Sequence, residues 1–222
     1  MITIHHLDNS RSQRILWMLE ELGVPYDIAL YQRDKRSMLA PESLKKVHPL
    51  GKSPVLVDGA LTLAESGAII EYLQETYDLA GKYKPTEHIA RQQYRYWLHY
   101  SEGSLMPLLV MKLIFGRLGQ SPMPWLIRPI GRAIGKGVQK NYLDKQIANH
   151  LHYLETHLTT QHWFAGSQFS AADIQMSFPI EAIESRGGLE AYPHLQAWLS
   201  AVQVRPAYQQ ALKKGGPYQL AR

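Results

Sequence analysis

The run Pro54-Val55-Leu56-Val57-Asp58-Gly59-Ala60-Leu61-Thr62-Leu63-Ala64-Glu65-Ser66 constrains the fold more than any other stretch of the chain. Asp-Gly between two short apolar runs is a strong hairpin signal, because the central residues of such a turn need positive φ. Proline can open a strand but cannot donate within one, so Pro54 belongs where no ladder partner is waiting. Ser66 stands ahead of Ile69, Ile70 and Leu73, an apolar face at helical spacing, and is expected to be the helix N-cap. A serine among free helix N–H groups suits a carboxylate or phosphate. Together these pieces point to a small, peptide-like anion as ligand.

The chain contains no cysteine. Disulfides, cysteine-ligated zinc, CxxC redox chemistry and a cysteine nucleophile are excluded together. The ten histidines show no HExxH spacing, so no metal is expected. The start is strand-like from Ile2, no signal peptide is evident, and no window reaches the roughly 20 apolar residues of a membrane helix. A cytoplasmic protein without a transmembrane segment is expected. The net charge of +5 tolerates anionic ligands. Arg128, Arg132, Lys136 and Lys140 recur every four residues and form one basic stripe if that stretch is helical. A solvated face is the plain reading of the stripe and an anionic surface partner is the other. The aromatic spacing of a nucleic-acid module is missing, so no specific nucleic acid is expected.

The two halves of the chain have different periods. Ile2-Thr3-Ile4-His5 alternates like a strand, and after the polar turn Asp8-Asn9-Ser10, Ile15, Met18, Leu19 and Leu22 mark an amphipathic helix stopped by Gly23 and Pro25. Tyr26, Ile28 and Leu30 read as a second strand, parallel to the first through a right-handed crossover. With the hairpin and its closing helix the order is βαβαββα. From about Glu87 the strand signals vanish. A long helix runs from Ile89 past Trp97 and Tyr100 towards Leu109, with a kink expected at Pro107. Another helix is expected over about 131–158, and Ser170-Ala171-Ala172-Asp173 resembles a capping box.

These residues resemble a glutathione transferase over essentially the whole chain. The matching pieces are Ser10-Arg11-Ser12-Gln13-Arg14, Gly51-Lys52-Ser53-Pro54-Val55-Leu56, Leu63-Ala64-Glu65-Ser66, Phe169-Ser170-Ala171-Ala172-Asp173-Ile174 and Arg205-Pro206-Ala207. The variant is similar to a bacterial and fungal branch of the serine-type enzymes. The resemblance implies an α/β thioredoxin-like glutathione-binding domain over residues 1–80, a linker over 81–86 and an all-α domain over 87–222, in a homodimer. It also implies a cis peptide bond before Pro54, which would turn the Ser53 backbone outward to pair with a bound peptide. Leu7 and Asp8 stand where tyrosine-type members carry their donor, and Ser53 replaces an aliphatic residue common before the proline.

Glutathione, γ-Glu-Cys-Gly, would be the co-substrate, and a small apolar electrophile the second. Ser66 suits the γ-glutamyl carboxylate and Glu65 its ammonium. The Ser53 backbone beside Pro54 would pair with the cysteinyl part, and Lys52 would meet the glycyl carboxylate. A free thiol with a pKa near 8.5 is only a few per cent thiolate at neutrality, and lowering it by about 2 units takes about 2.7 kcal/mol. A hydroxyl hydrogen bond to sulfur, helped by the first helix's N-terminal field, fits that demand. Ser10, four residues before Arg14, is the donor that the resemblance to serine-type members implies, and it acts as no nucleophile. Ser12 is the rival, and Asn9 or Arg11 could share the role. Against the long helix, Tyr100 and Ser104 are the preferred electrophile contacts. Peroxide reduction, dehalogenation or isomerisation on the same platform, and a non-catalytic binding or scaffold role, are the competing functions.

Overall fold

The computed structural model describes residues 1–34, 37, 39–216 and 218–220. A four-stranded mixed sheet in the order β2-β1-β3-β4 opens the chain. β1 (Ile2–Leu7) pairs in parallel with β2 (Tyr26–Tyr31) through α1 (Ser12–Leu22), which Gly23 closes in the left-handed conformation. β3 (Val55–Asp58) runs antiparallel to β1 and to β4 (Leu61–Ala64), and α2 (Ser66–Tyr77) follows. Between β2 and β3, where the expected order places a helix, the described residues hold only the 3₁₀ turn Glu42–Lys46.

The hairpin corrects one expectation in detail. Asp58 pairs with Leu61, so the central turn residues are Gly59 and Ala60 rather than Asp58 and Gly59. Only Gly59 has positive φ, at 58°. Asp58 ends the strand, and its carboxylate accepts from the Tyr72 and Tyr77 hydroxyls of α2.

The rest is helical: α3 (His88–Tyr100), α4 (Met106–Gly116), α5 (Arg128–Val138), α6 (Asp144–Thr160), α7 (Ala171–Glu184), α8 (Pro193–Gln203) and α9 (Pro206–Gly215). The long first helix is interrupted at a π turn, Ser101–Leu105, and not by a kink at Pro107, which sits in the first turn of α4. A proline is tolerated there because the first-turn N–H has no intrahelical partner. A second π turn, Gln139–Leu143, splits the helix expected over 131–158. The capping box forms: the Ser170 N–H donates to Asp173 Oδ2 at 3.0 Å, and Ala172 N–H to Ser170 Oγ at 3.3 Å. Asp173 is buried, which pushes its carboxyl up to about 6, and it also accepts from Phe164 N–H and Trp198 Nε1.

The core is continuous between the two halves. Tyr83, between α2 and α3, is buried and donates to the Glu21 carbonyl at 2.6 Å, while its own carbonyl accepts from Gln74 Nε2 and Ala171 N–H. Arg205 forks onto Glu21 at 2.6 and 2.9 Å and stacks over Phe169, tying α9 to α1. Among the described residues no helix is long and apolar enough to cross a membrane.

Candidate functional site

Three chain segments meet where β1 ends: the turn into α1, the loop before β3 and the start of α2. β1 runs into Asp8-Asn9-Ser10, with Asn9 at φ 50°, a left-handed conformation that asparagine tolerates. Ser10 and Ser12 are buried, and their hydroxyl oxygens lie 2.8 Å apart. Ser12 Oγ is also 2.8 Å from His6 Nδ1, and His6 Nε2 is 3.1 Å from the Gly215 carbonyl.

The direction of this chain follows from its ends. A carbonyl only accepts, so His6 carries its proton on Nε2. Burial lowers the His6 pKa despite the opposing Gly215 hydrogen bond and Asp8 charge, so the ring is neutral and Nδ1 presents a lone pair. Ser12 Oγ has two acceptors, His6 Nδ1 at 2.8 Å and the Leu7 carbonyl at 3.3 Å, so its one proton goes to the nearer, His6, and Ser10 becomes the donor towards Ser12. Ser10 Oγ itself accepts from the Ser12 N–H at 3.3 Å.

The loop before β3 is held against the same strand end. Ser53 Oγ donates to the His5 carbonyl at 2.9 Å and accepts from Leu7 N–H at 3.2 Å, continuing the β1–β3 ladder by side chain. The Ser53–Pro54 peptide bond is cis, as the resemblance implies. Gly51, at φ 57°, lies against Lys45, where an added Cβ would come within 2.7 Å of its Cγ. Lys52 is exposed beside it.

At α2 the structure corrects the expected cap. Glu65, not Ser66, is the N-cap, and its φ of 69° with ψ of 116° lies outside the regions that residues with a Cβ favour. Ser66 is the first helical residue, buried, and its oxygen accepts from Arg14 Nη2. The Ser66 proton is left to donate elsewhere.

Arg14, to which the sequence reading gives no contact of its own, is the hub. Its guanidinium is almost fully buried and donates to Ser66, to Glu102 Oε1 from the π turn and to the Gln175 carbonyl at 2.7 Å. Arg11 Nε reaches both Glu102 oxygens at 3.0 Å. Burial raises the Glu102 pKa, but Arg14 and Arg11 outweigh it and hold the carboxyl below its usual value. Two buried polar atoms beside the start of α2 lack a protein partner: Arg14 Nε and Gln175 Oε1. A Cβ on Gly67 would lie 3.6 Å from the Gln175 amide nitrogen. One cue to Arg14 exists in the sequence: it falls four residues before Met18, on the apolar face of α1, where a cation must be paired.

Not every expected residue joins the site. The Tyr100 side chain is buried among Tyr96, Trp97 and Tyr153, with its hydroxyl against His150 Nδ1, so it belongs to the helical core and not to an open pocket. Ser104 is exposed on the π turn. The chain's end supplies contacts with no sequence signal. Gln219 N–H donates to Asn9 Oδ1 at 2.6 Å, and Tyr218 joins Tyr208 in donating to Glu181, whose buried carboxyl is pushed up to about 7. No group of side chains that could hold a metal ion occurs among the described residues.

Residues 10–76 match the family model described as the glutathione S-transferase N-terminal domain, and residues 120–206 match that of the C-terminal domain. The chain is 42% identical to glutathione S-transferase 3 of Schizosaccharomyces pombe, over 96% of this chain and 88% of that one. It is 33% identical to glutathione S-transferase 1 of Saccharomyces cerevisiae, over 96% and 95%, and 28% identical to the disulfide-bond oxidoreductase YfcG of Escherichia coli, over the same shares. A crystal structure of a glutathione S-transferase from Actinobacillus pleuropneumoniae superposes with a TM-score of 0.79 at 33% identity, covering 100% of this chain and 96% of that one.

Proposed function

Because the chain belongs to the glutathione S-transferase family, we propose that it is a serine-type member in which Ser10 donates a hydrogen bond to the glutathione sulfur. The observation that carries this reading is the direction of the hydrogen-bond chain behind Ser10. With the Ser12 proton directed at His6, Ser12 has nothing to offer a thiolate, and Ser10 alone of the two keeps a proton it can re-aim. A hydrogen bond to a charged acceptor contributes about 1.5–3 kcal/mol, the size needed to lower a thiol pKa by about 2 units.

The remaining roles divide by charge. The Ser66 hydroxyl, the first N–H groups of α2 and the unpartnered Arg14 Nε suit the γ-glutamyl carboxylate. The Glu65 carboxylate suits the ammonium, Lys52 the glycyl carboxylate, and the Ser53 backbone beside Pro54 the cysteinyl segment. Asn9 and Arg11 line the thiol's surroundings without a free hydroxyl to donate. The sulfur, held as thiolate, attacks a small apolar electrophile, and the same reading includes a homodimer. The relative named as a disulfide-bond oxidoreductase favours a second reading, reduction of a small disulfide. With no cysteine in the chain, two glutathione molecules would supply both electrons and leave as their own disulfide.

The test is a titration of the bound thiol by its ultraviolet absorbance, followed by turnover with a chlorodinitrobenzene and with hydroxyethyl disulfide. In Ser10→Ala the thiol titrates near its free value, about 8.5, and turnover falls tenfold or more, with glutathione still bound. An unchanged titration and rate in that variant removes Ser10 from the chemistry. Calorimetry showing no glutathione uptake by folded wild type removes the whole reading.

A further inference from the structure

From Gly103 to Leu143 the chain carries no aspartate or glutamate but six cations: Lys112, Arg117, Arg128, Arg132, Lys136 and Lys140. The same hairpin, α4 to α5, exposes several large apolar side chains. Trp125 is 73% exposed, Leu126 69%, Ile130 61% and Ile134 54%. Scattered exposed leucines are ordinary, but an indole and several aliphatics together on one tip are not.

The packing of α5 explains why these side chains point out. Its inward positions are Gly131 and Gly135, one turn apart, and both are pressed against backbone. A Cβ on Gly135 would fall 2.3 Å from the Phe115 carbonyl oxygen, and one on Gly131 would fall 2.9 Å from Gly119 N. The helix therefore cannot roll to bury Ile130 and Ile134, because only glycine fits where they would lead. Both flanks of the helix are left exposed, the isoleucines on one and Arg132 and Lys136 on the other.

We propose that this hairpin tip docks the protein on an anionic lipid surface, with Trp125, Leu126 and Ile130 entering the headgroup layer and Arg132, Lys136 and Arg117 pairing with lipid phosphates and carboxylates. Charge complementarity selects this occupant. A second copy would have to bring an acidic surface to this acid-free patch, whereas anionic lipid meets the cations with its headgroups and the indole and isoleucines with its apolar layer. A nucleic acid would pair with the cations but would leave the indole and isoleucines in water. Interfacial segments that combine Lys and Arg with Trp, Leu and Ile bind where both kinds of contact are met. Among the described residues no helix is long and apolar enough to cross the bilayer, and the proposed attachment is peripheral and reversible. The active-site groups lie on other elements, so docking is independent of glutathione turnover.

The test is flotation with vesicles of phosphatidylcholine mixed with phosphatidylserine, against vesicles of phosphatidylcholine alone, using the full chain. Wild type floats with the anionic vesicles, releases at high salt and ignores the neutral ones. The double variant Arg132→Gln/Lys136→Gln binds about 25-fold more weakly, about fivefold for each cation lost. Trp125→Ser weakens binding on the order of tenfold and removes the blue shift in tryptophan emission that vesicles cause in wild type. All variants keep wild-type turnover. The proposal fails if wild type does not float with anionic vesicles at low salt, or if neither variant alters flotation. It fails equally if sedimentation shows that Trp125→Ser dissociates an oligomer while vesicles go unbound, or if the cations serve only to capture duplex DNA.

Discussion

Helices α1 and α5 are both 11 residues long and both amphipathic, yet they sit in the molecule in opposite senses. In α1 every residue from Ser12 to Leu19 is buried, polar ones included, because the sheet, α2, α7 and α9 surround it. In α5 only Gly131 and Gly135 are buried, because one helix, α4, and short flanking turns are its neighbours. Burial is thus decided by what stands on each side of a helix and not by its own apolar stripe. The enclosed helix gathers the polar groups that need a dry, fixed setting. The peripheral one displays the apolar groups that need a partner.

The sharpest break in this contrast comes from removing the cation buried on α1. Arg14→Ala leaves Glu102 without its closest counter-charge and Ser66 without a donor, and loss of one partner of a buried pair costs about 3–5 kcal/mol. Chemical denaturation is expected to show that loss, whereas Arg132→Gln on α5 stays within about 0.5 kcal/mol of wild type. Equal losses at the two positions would mean that α1's enclosure does not matter energetically.

Next in size is the histidine behind α1. His6→Gln disturbs a buried hydrogen-bond chain and costs about 1–3 kcal/mol near neutrality. The variant also carries a pH signature. The His6 pKa is lowered by burial, so the unfolded chain takes up a proton more readily, and wild-type stability falls as pH drops below the ordinary value of 6.5. His6→Gln lacks that term, so the gap between the two proteins narrows on acidification. Glu181 acts in the opposite direction. Its carboxyl is raised to about 7, so its contribution is full below the ordinary carboxylate value and is lost as pH rises through 7. Thermal melts across pH 5 to 8 separate the two. A gap that widens in acid would mean that His6 is charged in the native state and that the chain at Ser10 runs the other way.

The sequence carries the local rules well and the long-range ones poorly. The hairpin and the Ser170–Asp173 box depend on residues a few positions apart, the crossover from β1 to β2 on the periods of consecutive elements, and all three form. The cap expected at Ser66 falls instead on Glu65, because the deciding fact is the backbone angle of Glu65, and the partner of the Ser66 hydroxyl, Arg14, lies 52 residues away. Tyr100 lies in the core and not in a pocket, because helical spacing marks which residues share a face without saying whether that face meets a cleft or a core. The two π turns left no trace for the same reason: each adjusts a helix to its neighbours. On α5 the cationic spacing was plain, but the orientation of the isoleucines depends on Gly131 and Gly135 meeting α4, which no periodicity within α5 reveals.

Adjacent residues on α5 give the finest discrimination. Gly135→Ala adds one methyl group where the Phe115 carbonyl stands, so α4 and α5 must separate, at a cost of about 1–3 kcal/mol. Ile134→Ala removes three carbons from a side chain that is more than half exposed and is expected to change stability by less than about 0.5 kcal/mol. On α1 the order is reversed, since truncating a buried leucine such as Leu19 costs about 2–5 kcal/mol. Differential scanning calorimetry of Gly135→Ala and Ile134→Ala therefore reads the docking of α5 directly. If Ile134→Ala were to cost as much as Leu19→Ala, Ile134 would be buried in solution against something the isolated chain does not provide. Repeating the melt over a range of protein concentrations then distinguishes a second copy, whose contribution grows with concentration, from an apolar side chain left in water.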